Sequence, residues 1–268
     1  MKFLLVFIFE VGLFVSDIVK SSEFRQEEIT SRTRRSTESS SYFFYQQPEY
    51  PRDCEEVYDQ CDDQSADGVY LIKPESSPEP FEVYCNNSID GGGWTVFQRR
   101  LDGSVEFYRP WNEYKNGFGF LRKDFWLGND KISYLTNQKI YELRIDMNNV
   151  NGQPFFAKYN LFRISDDRTK YRLVGLGDYN STSTANNDSM NHHRNQSFST
   201  YDRDNDHSSY TNCAEYRHGA WWFNDCATSQ LNGLYNAGST DFKSIEWNSL
   251  PGGHYHLKYS EMKIRPLQ

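Results

Sequence analysis

The sequence predicts an α+β fold in which an antiparallel sheet is followed by a large region built from loops. Three observations carry this prediction. Runs such as "YELRIDM", "FFAKYNLFRI" and "YRLVGLG" have the short, apolar-rich character of strands. Helix-like patterning is confined to brief stretches interrupted by glycine. A polar stretch from Asp178 to Asn212, rich in Asn, Ser, Asp and His, shows little periodicity. Such a long structureless run is uncommon inside a compact domain and is often functional.

The elements follow in chain order. "MKFLLVFIFEVGLFV" places Lys2 before an apolar run to Val15, the pattern of a secretory signal peptide over residues 1–21. A retained anchor is the alternative, although the run is shorter than the roughly 18 apolar residues a membrane span needs. Residues 22–50 are polar and rich in Ser, Glu and Arg, and are expected to be flexible. Within them "RTRRS" sets Arg32, Arg34 and Arg35 before Ser36, a furin-type processing site after Arg35. The folded domain is expected over 51–268. In "DCEEVYDQC", Asp53 is placed to cap a short helix, with Glu56 three residues later as in a capping box. "GVYLIKP" and "FEVYCN" read as strands separated by the turn-rich "PESSPEP". "GGGWTVFQRR" reads as a turn entering an alternating strand. Trp111 to Leu135 reads as helix, broken at Gly117, Gly119 and Gly128, and "EMKIRP" closes the chain as a strand.

Composition narrows the function classes. Aromatic residues make up 16% of the 268 positions, with 19 Tyr and 19 Phe, so a substantial core can form. A net charge of −8 argues against nucleic acid as the main partner. No CxxC or HExxH spacing suggests zinc, and no GxSxG or phosphate loop suggests catalysis. Sequons at Asn86, Asn180, Asn187 and Asn195 fit a glycosylated secreted protein. The five cysteines, Cys54, Cys61, Cys85, Cys213 and Cys226, should mostly pair in an oxidising compartment, leaving one over.

"YDRDNDH" poses the sharpest question, because Asp202, Asp204 and Asp206 crowd three carboxylates together. A solvated acidic loop with Arg203 offsetting its charge is one answer, and a bound cation is the other. An EF-hand is a poor match. Counted from Asp202, the sixth position is His207 rather than Gly, and the twelfth is Cys213 rather than Glu.

"DGGGWTVFQRRLDGSVEFYRPWNEYKNGFG", "FWLGND", "YELRIDM", "NCAEYRHGAWWFNDC", "LNGLY" and "SEMKIRP" together closely resemble the fibrinogen C-terminal domain family. That family includes fibrinogen chains, ficolins, tachylectins, angiopoietins, tenascins and microfibril-associated glycoproteins. The resemblance runs in order over about residues 53–268. It implies a small disulfide-linked N-terminal subdomain, a central antiparallel sheet and a loop-rich C-terminal region that binds calcium and ligand. It implies disulfides Cys54–Cys85 and Cys213–Cys226, the latter contributing about 3 kcal/mol on a chain-entropy model. Cys61 has no family counterpart. An interchain bridge, a free thiol and an alternative partner for Cys85 all stay open, and the bridge would give a disulfide-linked homodimer or higher oligomer.

The resemblance also assigns sites. Asp204 and Asp206 match the side-chain ligands of a Ca²⁺ ion, with backbone carbonyls near Ser208 and Tyr210 as further ligands. Hard oxygen donors suit that ion. A cis peptide is implied at Asp225–Cys226, where lectin-like members hold an acetyl group. The cage around it differs here. Ala227 stands where those members have His, and Arg217 where they have an aromatic. Phe242 or Asp241 replaces a pocket tyrosine, and Tyr255 lies near the place of another. The fibrinogen-type pocket, which binds a peptide amine through acidic residues, is not clearly preserved. Trp221 and Trp222 are expected in the core, and Tyr216, Arg217 and His218 at the surface. His192 and His193 resemble a metal pair but fall in a sequon-rich loop. His254 and His256 alternate along a strand and should share a face.

Two functions follow. The first is a secreted, calcium-stabilised, lectin-like protein binding glycans in innate defence. The second is a matrix or receptor ligand that binds cell-surface or matrix proteins.

Overall fold

The computed structural model describes residues 50–60, 66–235, 242–248, 250–251 and 256–267. The expected signal peptide, the processing site after Arg35, Cys61, Asp241, His254 and Tyr255 lie outside them.

The domain opens with helix α1 (Cys54–Gln60), strands β1 (Gly68–Ile72), β2 (Phe81–Asn86) and β3 (Trp94–Arg100), and helix α2 (Trp111–Asn116). Strands β4 (Phe118–Gly119) and β5 (Phe125–Trp126) precede helix α3 (Asn129–Gln138). Strands β6 (Tyr141–Asn149), β7 (Pro154–Tyr159), β8 (Phe162–Ile164) and β9 (Leu173–Leu176) follow. The chain ends through helix α4 (Cys213–Arg217) and strands β10 (Ser229–Gln230), β11 (Glu246–Trp247) and β12 (Leu257–Pro266). The main sheet runs β1-β2-β3-β12-β6-β7, with β5 also pairing β3 and β4. Its pairings are antiparallel.

Asp53 does cap α1, since its Oδ1 accepts the Glu56 N–H at 3.1 Å. The reciprocal half of the box is diverted. Glu56 Oε2 accepts the Arg52 N–H at 2.7 Å, and Oε1 lies 2.8 Å from Lys139 Nζ. A disulfide joins Cys54 of α1 to Cys85 of β2, with Cα atoms 5.4 Å apart.

Three strand and helix expectations need correction. All seven residues of β3 are buried, so this strand is covered on both faces and does not alternate. "FFAKYNLFRI" splits at Asn160–Leu161. Its first part is β7 in the main sheet, and its second is β8, which pairs with β9 in a separate sheet. The Trp111–Leu135 stretch breaks at Gly117 and Gly128 as expected, but the β4–β5 hairpin between the two helices was not expected. Gly117 makes this possible, because at φ +95° a Cβ there would lie 2.2 Å from the Leu127 carbonyl oxygen.

On β12, Met262 and Ile264 face Ile145 and Leu143 of β6 across the ladder, and all four are buried. An aromatic core joins the sheet to the loop region. Phe198 stacks on Trp126 at 5.8 Å and meets Trp222 edge-on at 5.3 Å. Trp221 and Trp222 are fully buried, as packing residues should be. Aromatic burial on this scale is a major share of core stabilisation.

Candidate functional site

The loop carrying the three aspartates begins where Ser199 and Trp221 exchange backbone hydrogen bonds of 2.9 and 3.2 Å. That pairing fixes the loop beside the GAWW segment. The next residues divide in role. Asp202 Oδ1 accepts the Trp111 N–H at 2.9 Å and the Thr200 hydroxyl at 2.7 Å. It therefore satisfies an orphan donor in the first turn of α2, where Pro110 offers no side-chain cap. Arg203 lays its guanidinium over the Trp111 ring at 4.1 Å. Asn205 Nδ2 donates to the Phe198 carbonyl at 2.9 Å.

Asp204 and Asp206 form the other group. Asp204 Oδ1 accepts the Asp206 N–H at 3.1 Å. Asp206 Oδ1 accepts from Ser208 N–H and Oδ2 from Cys213 N–H, both at 2.8 Å. Burial and the neighbouring Asp204 push the Asp206 carboxyl up to about 6, against the pull of those two donors. This is a carboxylate held in place yet short of positive charge. The donor set of two carboxylates fits a hard cation. The side chain of Tyr210 is almost fully exposed, so only its carbonyl is suited to serve such an ion.

The loop is tied directly to the neighbouring surface. His207 N–H donates to the Asn224 carbonyl at 3.1 Å, and Asn224 N–H donates to the Cys226 carbonyl at 2.9 Å. A disulfide links Cys213 and Cys226 with Cα atoms 5.5 Å apart. The Asp225–Cys226 peptide is cis. The Asp225 carboxylate lies within 4.8 Å of both cysteine sulfurs. Those sulfurs are bonded to each other, so they offer no thiolate to a metal. Asn212 caps α4 by accepting the Glu215 N–H at 3.1 Å.

Arg217 is buried, which corrects its assignment to the surface. Its Nη1 pairs with Glu246 and donates to the Phe242 carbonyl at 3.1 Å, and its Nη2 donates to the Ala227 carbonyl at 3.1 Å. Phe242 is exposed, with its ring 5.4 Å from the guanidinium. Burial pushes the Glu246 carboxyl up, and Arg217 partly offsets that. Tyr216 is exposed, while His218 stacks on Tyr108 at 4.9 Å. His193 is a core residue. Its Nδ1 lies 2.7 Å from the Trp222 carbonyl, and its Nε2 accepts the Ser229 N–H at 3.3 Å. Burial pushes its imidazole down to about 3, so it is neutral and structural.

Residues 50–267 match the family model for the C-terminal globular domain of fibrinogen beta and gamma chains. The chain belongs to the fibrinogen C-terminal domain family. It is 49% identical to Fibrinogen-like protein A of Apostichopus parvimensis over 222 residues, covering 81% of this chain and 76% of that one. It is 44% identical to Fibrinogen C domain-containing protein 1 of Xenopus tropicalis over 81% of this chain, but spans only 47% of that relative. The fibrinogen-like globe of human ANGPTL2 superposes with a TM-score of 0.75 at 41% identity, covering 81% of this chain and 99% of that one. Lamprey fibrin D-dimer, complexed with the peptide Gly-His-Arg-Pro-amide, superposes at 0.70 with 34% identity, covering 88% and 78%.

Within this fibrinogen C-terminal domain, Arg217 is a buried charge with three partners. Arg217 ties together the Ala227, Phe242 and Glu246 segments. Glu246, in "SIEWN", was not legible as a site residue, because its role exists only through a partner 29 residues away. Asn224, which relays the aspartate loop to Cys226, was hidden for the same reason.

Proposed function

We propose that this domain is a secreted, calcium-stabilised recognition module that engages a protein partner at a receptor or in the extracellular matrix. The observation that carries the reading is Arg217. Its guanidinium is committed to the Ala227 carbonyl, the Phe242 carbonyl and Glu246, so a charged strut stands where an acetyl methyl would need an apolar cage. The peptide in the lamprey relative's complex supports a protein ligand for this fold. Asp204 and Asp206 would hold Ca²⁺, with the Ser208 and Tyr210 carbonyls completing the set. The ion supplies the positive charge that Asp206 lacks. The His207–Asn224 and Asn224–Cys226 hydrogen bonds would carry the resulting rigidity to the ligand surface. Two disulfides and the leader-like amino terminus support an extracellular setting.

The test is to secrete the full chain from a eukaryotic host and pass it over N-acetylglucosamine resin in calcium. The expected result is flow-through of folded protein that melts at higher temperature in calcium than in EDTA. Retention that free N-acetylglucosamine reverses would overturn the protein-ligand reading and restore the lectin one.

A further inference from the structure

A polar cavity beside Thr228 is not part of the arrangement above. It has a volume of about 380 Å³ and is lined by Asn187, Asp188, Asn191, His192, Thr228 and Asn248, together with Ser189. That places it at the small end of ligand pockets, which run from about 300 Å³ upward. Its lining offers carboxylate, amide, imidazole and hydroxyl groups and no Phe, Tyr, Trp, Val, Leu, Ile or Met. A dense mixture of donors and acceptors suits sugar hydroxyls, which both give and accept hydrogen bonds. One of the lining residues, Asn187, is itself the first residue of a sequon, Asn187–Asp188–Ser189.

The local geometry separates this sequon from the others. Asn187 is exposed, but its backbone is held. Its carbonyl accepts the Trp247 indole N–H at 3.3 Å and the Ser189 N–H at 3.0 Å. Ser189 is buried and donates its hydroxyl to the Asn248 carbonyl at 2.8 Å. The tripeptide is thus readable before folding and locked afterwards. Asn180 is exposed, and its Oδ1 accepts the Thr182 hydroxyl and N–H, both at 2.8 Å. Neither Asn180 nor Asn195 lines a described cavity.

We propose that Asn187 carries an N-linked glycan whose first sugars fold back into this cavity, against the Thr228 side of the ligand surface. Transfer forms a bond from Asn187 Nδ2 to the anomeric carbon. It breaks that carbon's bond to a lipid diphosphate donor and releases one amide proton. The seated sugars then bridge residues 187–192 to Thr228 and Asn248, which line the cavity opposite them. The proposal rests on the extracellular reading, and the test keeps the two apart.

The full chain is secreted from a eukaryotic host and treated with peptide-N-glycosidase, both native and denatured, with release followed site by site by mass spectrometry. The expected result is a glycan at Asn187 that is released about tenfold more slowly than that at Asn180 under native conditions, as for a group that must undock first. The difference should vanish on denaturation, and His192→Ala should speed native release at Asn187 alone. Equal native release at Asn187 and Asn180 would overturn the proposal. So would a glycan at Asn180 with none at Asn187, which would leave the extracellular reading standing. Absence of glycan from every sequon would remove both.

Discussion

Asp202 accepts the backbone N–H of Trp111 at 2.9 Å, across 91 residues of sequence. The three crowded aspartates are therefore not one ligand set. Asp202 caps a helix, and Asp204 and Asp206 are the pair proposed to hold the cation.

Asp202→Ala should lower stability by about 1 kcal/mol, the usual cost of losing a helix cap, while calcium affinity changes little. Urea unfolding and calcium titration calorimetry on the same protein would check this. Loss of calcium affinity equal to that of Asp204→Asn would place Asp202 in the ion's shell instead.

Calcium dependence should itself depend on pH. A proton on Asp206 excludes the cation, so affinity should fall as pH drops through about 6. Without the ion, the folded chain holds this proton more tightly than the unfolded chain does. Stability is then lost as pH rises through about 6. Added calcium should restore it at neutral pH. The gain in Tm from calcium over EDTA should be largest near neutrality, disappear by about pH 5, and be absent in Asp206→Asn. Differential scanning calorimetry across pH would measure it.

Arg217→Ala strands the Glu246 carboxylate. Both side chains are 11% exposed, and breaking a buried pair from one side costs about 3–5 kcal/mol. Chemical denaturation at neutral pH should show a loss of that order. The deficit should shrink as pH falls through the carboxylate range, because burial already raises the Glu246 pKa and the unpaired group can take up a proton. A deficit independent of pH would mean that Arg217 acts through packing alone.

Asn86 should be the sequon found bare on folded, secreted protein, because a chain modified there before folding cannot pack this side chain against Glu261. Its Nδ2, the atom a glycan would occupy, donates to Glu261 Oε1 at 3.1 Å. Glu261 is buried beneath the ion pairs it makes with Arg99 and Lys263. Peptide mass spectrometry should find this site bare. Asn86→Ala should cost about 1 kcal/mol, the net value of one hydrogen bond.

The legible parts of this molecule are those written in local pattern or in a run of motifs. The cap at Asp53 is a short-range signal, as is the strand character of "YELRIDM". The disulfide pairs and the cis peptide at Asp225–Cys226 came with the family resemblance. What stayed hidden depends on distant partners. Nothing near Arg217 announces that it is buried, because Glu246 and Phe242 reach it from a later segment. Nothing in "GGGWTVFQRR" shows that all of β3 is buried, with Gln98 and Arg100 reaching the Leu231 carbonyl and Phe97 stacking on Phe162. The β4–β5 hairpin is only two residues wide on each side, too short for periodicity to register.

The position of β12 has a consequence for how the protein is made. β12 lies between β3 and β6, so among the described strands the two halves of the main sheet pair only through it. During synthesis, the earlier strands emerge with a gap at the centre, and their facing edges wait unpaired while some hundred further residues are added. Loss of β12 would separate the two halves of the sheet rather than trim an edge.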